Sequence, residues 1–414
     1  MSSATAAVDR RYRRKLSRVE RTYVNARTLG ANTLIRLVVD GMGSIEPAAF
    51  DAAVAAASSA APGLSVRRRG ATWHGGGPAP VVAHLPIDRL HCDAAFFHDP
   101  IDVTEGPVVR LAVGHSDPAD AARPRTRIAA VVDHAVTDGH GFTAWLADVF
   151  RELRGEQAHG FPSEDADIDL ARRAPKFGKR SAPTPTPEPR PSPLRRSGVS
   201  TETTACWYRA ELPPVTEPVV GHIVAAVAGS LRSDTGSVSI PVDLRRHSPG
   251  IRSTANLSSP VALSITRDTD ARSAQSAVLM ALMRGRELDP YRSDYRASNG
   301  FARSLDSALG TDSDGGHPVT AIISDHGVID ERRFSTASFE PLTISTLPMV
   351  VPHASMFVSA VTTSRATVLT LGCRRDDDPA LCLNLLNSAS VALGGAANAA
   401  ALPGGGPADR GSIR

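Results

Sequence analysis

The sequence has little cysteine, few aromatic residues and no long apolar run, and these shortages exclude several classes of protein. The four cysteines among 414 residues form no Cys-x-x-Cys pair and have no histidine at zinc-ligand spacing, so we expect free thiols, no metal site and a reducing, cytoplasmic compartment. The longest early apolar run, TLIRLVV, contains an arginine and is too short to span a bilayer. The basic N-terminus also lacks the apolar segment of a secretion signal.

The chain also lacks an excess of charge of one sign. Its 46 basic and 43 acidic residues leave a net charge of +3, which is not the concentrated basic surface of a nucleic-acid-binding protein. Basic residues cluster only at 10–21 and 172–196, which we interpret as a solvated tail and linker. The high content of arginine, alanine, glycine and proline is typical of a GC-rich actinobacterial source.

A proline-rich stretch divides the chain. Alternating prolines between Pro183 and Pro193 fix φ and remove backbone donors, so this stretch predicts an extended connector. The predicted segments are a disordered tail at 1–14, an N-terminal subdomain at 15–160, a crossover linker at 161–200, a C-terminal subdomain at 201–400 and a disordered tail at 401–414.

Strand and helix patterns alternate in both halves, which predicts an α/β fold of two similar layers. The predicted strands are NTLIRLVVDG, PVVRLAVGH, RIAAVVDH, SVSIPVDLRRH, SSPVALSITRD, VTAIISDHG and MFVSAVTTSRATVLTLGC. The predicted helices are EPAAFDAAVAAASSAAP, the amphipathic stretch after Gly139, VVGHIVAAVAGSLRS and DDPALCLNLLNSASVALGGAA.

The stretch RIAAVVDHAVTDGHG places a histidine and a carboxylate at the end of a predicted buried strand. The strand delivers His134 to a turn, and Gly139 gives the backbone freedom to enter the next helix. An imidazole held in such a crevice can act as a general base. Asp138 is poorly placed as a second base, and a buried carboxylate needs a cationic partner, so we expect an ion pair that fixes the loop. The alternative is a core histidine with satisfied hydrogen bonds.

The segment VVDHAVTDGHG resembles the HxxxDG motif of the acyltransferases that use CoA or a carrier protein. This superfamily includes chloramphenicol acetyltransferase, plant acyltransferases, the condensation domains of nonribosomal peptide synthesis and polyketide-associated acyltransferases. Further segments resemble the family in order and spacing over about residues 15–395: KLSRVERTYV, SIPVDLRRHSPGIRSTANLSSPVAL, TAIISDHGVID and MFVSAVTTSRATVLTLGCRRD. One HxxxDG is weak evidence, whereas the ordered set is specific.

The resemblance implies two pseudo-symmetric subdomains, each similar to chloramphenicol acetyltransferase, with the active-site channel between them. It implies that His134 is the catalytic base, that Asp138 pairs with Arg245, and that Gly139 keeps the channel clear of a side chain. The other residues that we expect in the channel are Asp133, His140, Asn256 and Ser324. For His140 the alternative is a residue at a helix N-terminus that contacts only solvent or backbone.

The resemblance also implies the chemistry. The donor would be a CoA or phosphopantetheine thioester, with no permanently bound cofactor or metal. No acyl-enzyme is expected, in agreement with the missing Gly-x-Ser-x-Gly sequence. The sequence departs from the family at Asp133, where many members have histidine, and at Asp325, where asparagine is usual.

We therefore expect a freestanding, monomeric acyltransferase of lipid or secondary metabolism. It would transfer an acyl group from CoA or an acyl carrier protein to a small-molecule or lipid acceptor, a hydroxyl rather than an amine. One alternative is a condensation-type enzyme that forms an amide from a carrier-bound aminoacyl or peptidyl donor. Another is a binding module that has the fold without the reaction.

Overall fold

The computed structural model describes residues 12–28, 30–116, 124–177, 188–197, 200, 202–291 and 316–402. Its α-helices are α1 (Arg18–Thr28), α2 (Pro47–Ser59), α3 (Ala95–His98), α4 (Gly139–Leu153), α5 (Asp167–Arg173), α6 (Val219–Ser230), α7 (Ala271–Met283) and α8 (Pro379–Ala392). Its strands are β1 (Arg13–Lys15), β2 (Leu34–Gly43), β3 (Val66–Arg69), β4 (Thr72–Gly75), β5 (Val81–Pro86), β6 (Val109–His115), β7 (Arg125–Asp133), β8 (Ala205–Leu212), β9 (Thr235–Asp243), β10 (Ser258–Thr266), β11 (Val319–Val328), β12 (Phe339–Thr346), β13 (Ala354–Thr362), β14 (Thr367–Arg374) and β15 (Ala400–Ala401).

Two large sheets organise the described residues, and the predicted α/β class is confirmed. The five-stranded sheet has the order β12-β2-β7-β6-β5, and the seven-stranded sheet has the order β10-β9-β11-β13-β14-β8-β15. A small third sheet has the order β1-β4-β3. The apolar runs of the sequence became buried strands: all of β7 from Ile128 to Asp133 and all of β14 are buried.

Each large sheet buries its own apolar core under helices. The N-terminal core includes Phe142 and Trp145 of α4 and Phe50 of α2, none of which is exposed to solvent. The C-terminal core joins α6 and α8 to the seven-stranded sheet through residues such as Val224 and Leu386. Complete burial of each such side chain contributes about 1.5–3 kcal/mol relative to leaving it in water, so these cores are the main source of stability.

Strand β12 departs from the predicted division at residues 161–200. It lies in the C-terminal half of the chain but pairs with β2 of the N-terminal sheet, with Ile344 opposite Val39. The subdomain predicted at 15–160 is therefore incomplete without 339–346. This strand is not among the predicted strands. A local pattern also does not say which sheet edge a strand will join, so the sequence could not show this exchange.

The predicted linker contains a helix, α5, where the sequence pattern predicted an extended connector. Helix α5 buries Leu170 and Ala171 in a small core with Leu244, Ala255 and Leu257. This part of 161–200 is thus packed against the C-terminal half rather than extended. Residues 178–187, with most of the alternating prolines, lie outside the described residues.

The predicted tails also differ from the structure where it describes them. Strand β1 pairs with β4, and Tyr12 and Arg14 are buried, so the tail predicted at 1–14 does not include 12–14. Strand β15 pairs with β8 and includes Ala401. Residues 1–11 and 403–414 lie outside the described residues. No described helix is long and apolar enough to cross a membrane.

A buried polar cluster fixes the start of α1. The Ser17 amide donates to the Glu20 carboxylate over 2.8 Å, and the Glu20 amide donates to the Ser17 hydroxyl over 3.1 Å, which forms a capping box. Arg14 and the Trp73 indole also donate to Glu20, over 2.5 Å and 3.1 Å. Because three of these four hydrogen bonds end on the Glu20 carboxylate, the direction of α1 is set independently of its exposed face.

Asp167 of α5 lies beside this cluster and accepts a hydrogen bond of 3.0 Å from the Tyr291 hydroxyl. Burial raises the pKa of Asp167 to about 6, and the negative charge of Glu20 acts in the same direction. The folded protein therefore binds this proton more tightly than the unfolded chain does. Its contribution to stability is fully present below the ordinary pKa of 3.8 and is lost as pH rises through about 6.

We predict that Asp167→Asn stabilises the fold at neutral pH, because the amide keeps the contact with Tyr291 and carries no charge. The free energy of unfolding in urea should rise by up to about 3 kcal/mol near pH 7 and change little near pH 4. The same substitution at Asp169, which is partly exposed on the same helix, should change it by no more than about 0.5 kcal/mol at either pH. A loss of stability in Asp167→Asn near pH 7 would contradict the prediction.

Candidate active site

The turn between β7 and α4 holds His134 at one end of the five-stranded sheet. Strand β7 lies between β2 and β6, so the chain reaches this turn from the middle of the sheet. The His134 amide donates to the Thr33 carbonyl over 2.8 Å. Four residues later the Asp138 carboxylate accepts from the Gly141 amide over 2.8 Å and caps the N-terminus of α4. Both ends of the turn are therefore fixed.

Asp138 and Arg245 form a buried ion pair between the two halves of the chain. Arg245 Nη1 lies 2.8 Å from Asp138 Oδ2 and 3.0 Å from Asp243 Oδ1. The Leu257 amide also donates a hydrogen bond to Asp138 Oδ2, over 2.7 Å. The Asp138 carboxylate thus binds α4 on one side and the loop before β10 on the other.

The second terminal nitrogen of Arg245 binds backbone. Its Nη2 donates to the carbonyls of Ser253 and Ala255, each over 3.0 Å. Burial acts to raise the pKa of Asp138, but the adjacent Arg245 charge and its hydrogen bond hold that pKa below its ordinary value. Asp138 is therefore an anion at neutral pH, and its role is a fixed contact rather than proton exchange.

The His134 imidazole is held between an aromatic ring and an amide. The Tyr23 ring of α1 stacks on it, with the ring centroids 4.2 Å apart and the planes 10° from parallel. The Asn256 amide nitrogen donates to the His134 carbonyl over 2.8 Å and lies 3.1 Å from His134 Nδ1. These contacts surround the Nδ1 side of the ring and leave Nε2 on the other side.

Ser258 sets the orientation of the Asn256 amide. The Ser258 hydroxyl donates to Asn256 Oδ1 over 2.8 Å. Because that oxygen is an acceptor only, the amide nitrogen must face His134. Asn256 itself is fully buried, so it acts on the backbone and ring of His134 from behind.

Burial lowers the pKa of His134 below the ordinary histidine value. Backbone carbonyls of His134 and Thr137 and the Asp138 carboxylate act in the opposite direction without cancelling the effect of burial. The imidazole is therefore neutral at pH 7, which is the form that can accept a proton.

An open pocket in front of His134 is lined by both halves of the chain. It has about 1020 Å³ of empty volume, its mouth included. The polar residues of the lining include His134, Asp138, His140, Ser324, Asp325 and His326, and Gly139 lies beside them in the chain. The apolar residues include Val19, Pro241, Pro260, Ile322, Met349, Val351 and Phe357. The pocket can therefore accept a ligand that has both polar and apolar parts.

Gly139, His140 and Ser324 line this pocket, as the sequence predicts, but two of the predicted channel residues do not. The Asp133 carboxylate accepts from the Ala135 amide over 2.9 Å and pairs with Arg27 over 3.2 Å. It is buried away from the imidazole. Asn256 is behind His134 rather than in the channel. Sequence proximity to a base does not say which way a side chain turns, since neighbours on a strand end face opposite sides.

Sequence reasoning missed two residues that shape the site. Tyr23 lies three positions after Glu20, so the capping box that fixes α1 also places the ring over His134. His326 of β11 packs against Gly139, because a Cβ built on that glycine would lie 2.7 Å from the imidazole Cε1. Glycine at 139 therefore leaves room for the His326 ring. Among the described residues, no group of three or more His, Cys, Asp and Glu could hold a metal ion.

Two condensation domains of known structure have the same architecture. A mutant of the starter condensation domain of rhizomide synthetase, in complex with C8-CoA, aligns with a TM-score of 0.62 and 17% identity over 97% of this chain and 98% of that one. The first condensation domain of the CDA synthetase aligns with a TM-score of 0.65 and 14% identity, over 95% and 100%. The protein has the condensation-domain fold. The fold that the HxxxDG resemblance predicts is thus confirmed, whereas no protein-family model and no curated protein matches the sequence.

We predict that His134 titrates below pH 6.5, its ordinary value, because burial disfavours the imidazolium. Histidine-labelled protein followed by NMR through a pH titration measures this directly. His134→Gln identifies the signal, since it removes one of the 13 histidines. A midpoint above the ordinary value would contradict the neutral, proton-accepting form.

Proposed function

We propose that the protein transfers an acyl group from a CoA or phosphopantetheine thioester to a hydroxyl, with His134 as general base. The observation that carries this proposal is the His134 imidazole itself. It is neutral at pH 7, fixed on its Nδ1 side and exposed to a pocket that both halves of the chain line. A base in this position needs only a bound acceptor and a bound thioester to react.

In the proposed reaction the neutral His134 imidazole carries its one proton on Nδ1. The acceptor hydroxyl then loses its proton to Nε2 as its oxygen attacks the thioester carbonyl. A tetrahedral adduct forms, and the carbon–sulfur bond then breaks. The leaving thiolate takes the proton back from the imidazolium, so that ester and free thiol are released and the enzyme is unchanged. General-base catalysis of this kind contributes about 10²–10⁴ in rate.

Two neighbours stabilise the imidazolium that forms during this step. The Asp138 carboxylate raises the pKa of His134 through its charge. The face of the stacked Tyr23 ring attracts a cation, an interaction of about 0.5–2 kcal/mol. Both effects are stronger with the charged ring than with the neutral one, so they favour the proton transfer.

The apolar side of the pocket supports a fatty acyl donor. Met349 and Val351 form a separate buried cluster with Ala354, against which Ile322 and Phe357 pack. Moving an aliphatic chain from water into this cluster would stabilise the complex by about 0.8 kcal/mol for each buried CH₂ group. The rhizomide synthetase domain with this fold binds C8-CoA, which supports an acyl-CoA as the first donor to test.

A second reaction uses the same base. In a condensation-type reaction an amine attacks the carrier-bound donor, and an amide forms in place of the ester. The structural neighbours are condensation domains, which favours this candidate, whereas the HxxxDG resemblance to polyketide-associated acyltransferases favours the hydroxyl. The experiment must therefore compare alcohol and amine acceptors.

We predict that His134→Ala lowers acceptor-dependent thiol release by about 10²-fold or more, because the general base is lost. The assay measures free thiol from short- to long-chain acyl-CoAs, with alcohol and amine pools in separate arms. His84→Ala is the matched control, since His84 of β5 pairs with Asp51 of α2 and is outside the pocket lining. It should retain the wild-type rate.

The arms of this experiment separate the candidates. Release with alcohols supports ester formation, and release with amines alone supports the condensation reaction. If no acyl-CoA gives His134-dependent release, the same assay with acylated carrier protein follows. Absence of release there too would contradict catalysis and favour a binding module.

A further inference from the structure

Three of the four cysteines of the chain lie in contact with one another, away from the pocket. Cys206 of β8 has its Sγ 3.4 Å from that of Cys373 on β14. The Cys373 Sγ in turn lies 3.6 Å from that of Cys382 on α8. None of these three residues lines the pocket, so the proposed acyl transfer does not use them.

The backbone at this cluster already has the geometry of a crosslink. Cys373 is directly opposite Cys206 in the antiparallel ladder between β14 and β8. Opposite residues in such a ladder have Cα atoms about 4.5–5.5 Å apart, within the range of about 4.4–6.8 Å that disulfides span. The two sulfurs can therefore bond by rotation of their side chains without movement of the sheet.

The three thiols differ in access to solvent. Cys206 is partly exposed, whereas Cys373 and Cys382 are fully buried. The hydrogen bond with Cys373 holds the pKa of Cys206 below its ordinary value, against the effect of burial, and Arg375 acts in the same direction. The pKa of Cys373 is raised well above its ordinary value. Cys206 is thus the thiol that ionises and that solvent can reach.

We propose that these three cysteines form an oxidation site at which a hydroperoxide reacts with Cys206 and Cys373 closes a disulfide. The Cys206 thiolate attacks the peroxide oxygen, which gives a sulfenic acid and releases water or an alcohol. The Cys373 sulfur then attacks the Cys206 sulfur, so the S–S bond forms and the sulfenic oxygen leaves as water. The two thiols are oxidised by two electrons, and the peroxide is reduced by two. An exposed, acidic cysteine beside a resolving cysteine is the arrangement that reversible thiol oxidation requires.

Cys382 allows a second disulfide, between Cys373 and Cys382. Its sulfur can attack Cys373 in the disulfide and release Cys206 as a thiol. The bond then joins β14 to α8 in the fully buried part of the cluster, and no net oxidation or reduction occurs. Cys206 is free again at the surface.

Cys92 provides an internal comparison. It is also partly exposed, but burial raises its pKa to about 11. No contact joins its sulfur to the other three among the described residues. We therefore expect it to react slowly and to form no intramolecular bond.

The test treats the full chain with hydrogen peroxide, blocks the remaining thiols by alkylation, and measures intact mass and peptide linkages. The wild type should lose two alkylatable thiols and the mass of two hydrogens, with a bond at Cys206–Cys373 or at Cys373–Cys382. Reductant should restore all four thiols. Cys92→Ser should give the same bond, and Cys206→Ser and Cys206→Ala should give none.

Three results would overturn the proposal. A Cys373–Cys382 bond that forms as fast in Cys206→Ser would show that Cys206 is not the entry point. Accumulation of sulfinic acid at Cys206 without a bond would show that Cys373 does not resolve it. Unchanged mass of the wild type, under conditions that alkylate Cys206, would show that the cluster is inert to peroxide.

Discussion

The buried ion pair between Asp138 and Arg245 is the interaction on which the rest of the site depends. A single carboxylate caps α4, accepts from the loop before β10 and neutralises Arg245. Through these contacts it joins the turn that carries His134 to the other half of the chain. Residues of both halves line the pocket, so this ion pair fixes the position of His134 and the shape of the pocket together.

Much of the fold was predictable because burial leaves a pattern in the sequence. Continuous apolar runs such as RIAAVVDH became central strands, since both faces of β7 are covered. The pairing of β12 with β2 and the packing of α5 were not predictable, because they depend on which surfaces meet. A local pattern carries no information about a partner that is distant in the chain, as Ile344 is from Val39.

In the site too, residues that belong to a motif were predictable and residues placed by long-range contacts were not. His134, Asp138 and Arg245 could be named from the HxxxDG resemblance, and the structure brings them together. Asn256 was named too, but as a channel residue, whereas it lies buried against His134. Tyr23 could not be named, because it reaches His134 through a tertiary contact that no motif records. Asp133 shows the limit of proximity in sequence. It is adjacent to His134 in the sequence, but its carboxylate pairs with Arg27.

A double-mutant cycle on Asp138 and Arg245 tests the central claim most directly. The free energy of unfolding would be measured for Asp138→Asn, Arg245→Gln and the combined variant. A buried pair of this kind predicts a coupling energy of about 2 kcal/mol or more. The matched cycle with Asp243→Asn, whose side chain is 27% exposed rather than 5%, should give less than about 1 kcal/mol. Equal coupling in the two cycles would contradict the account.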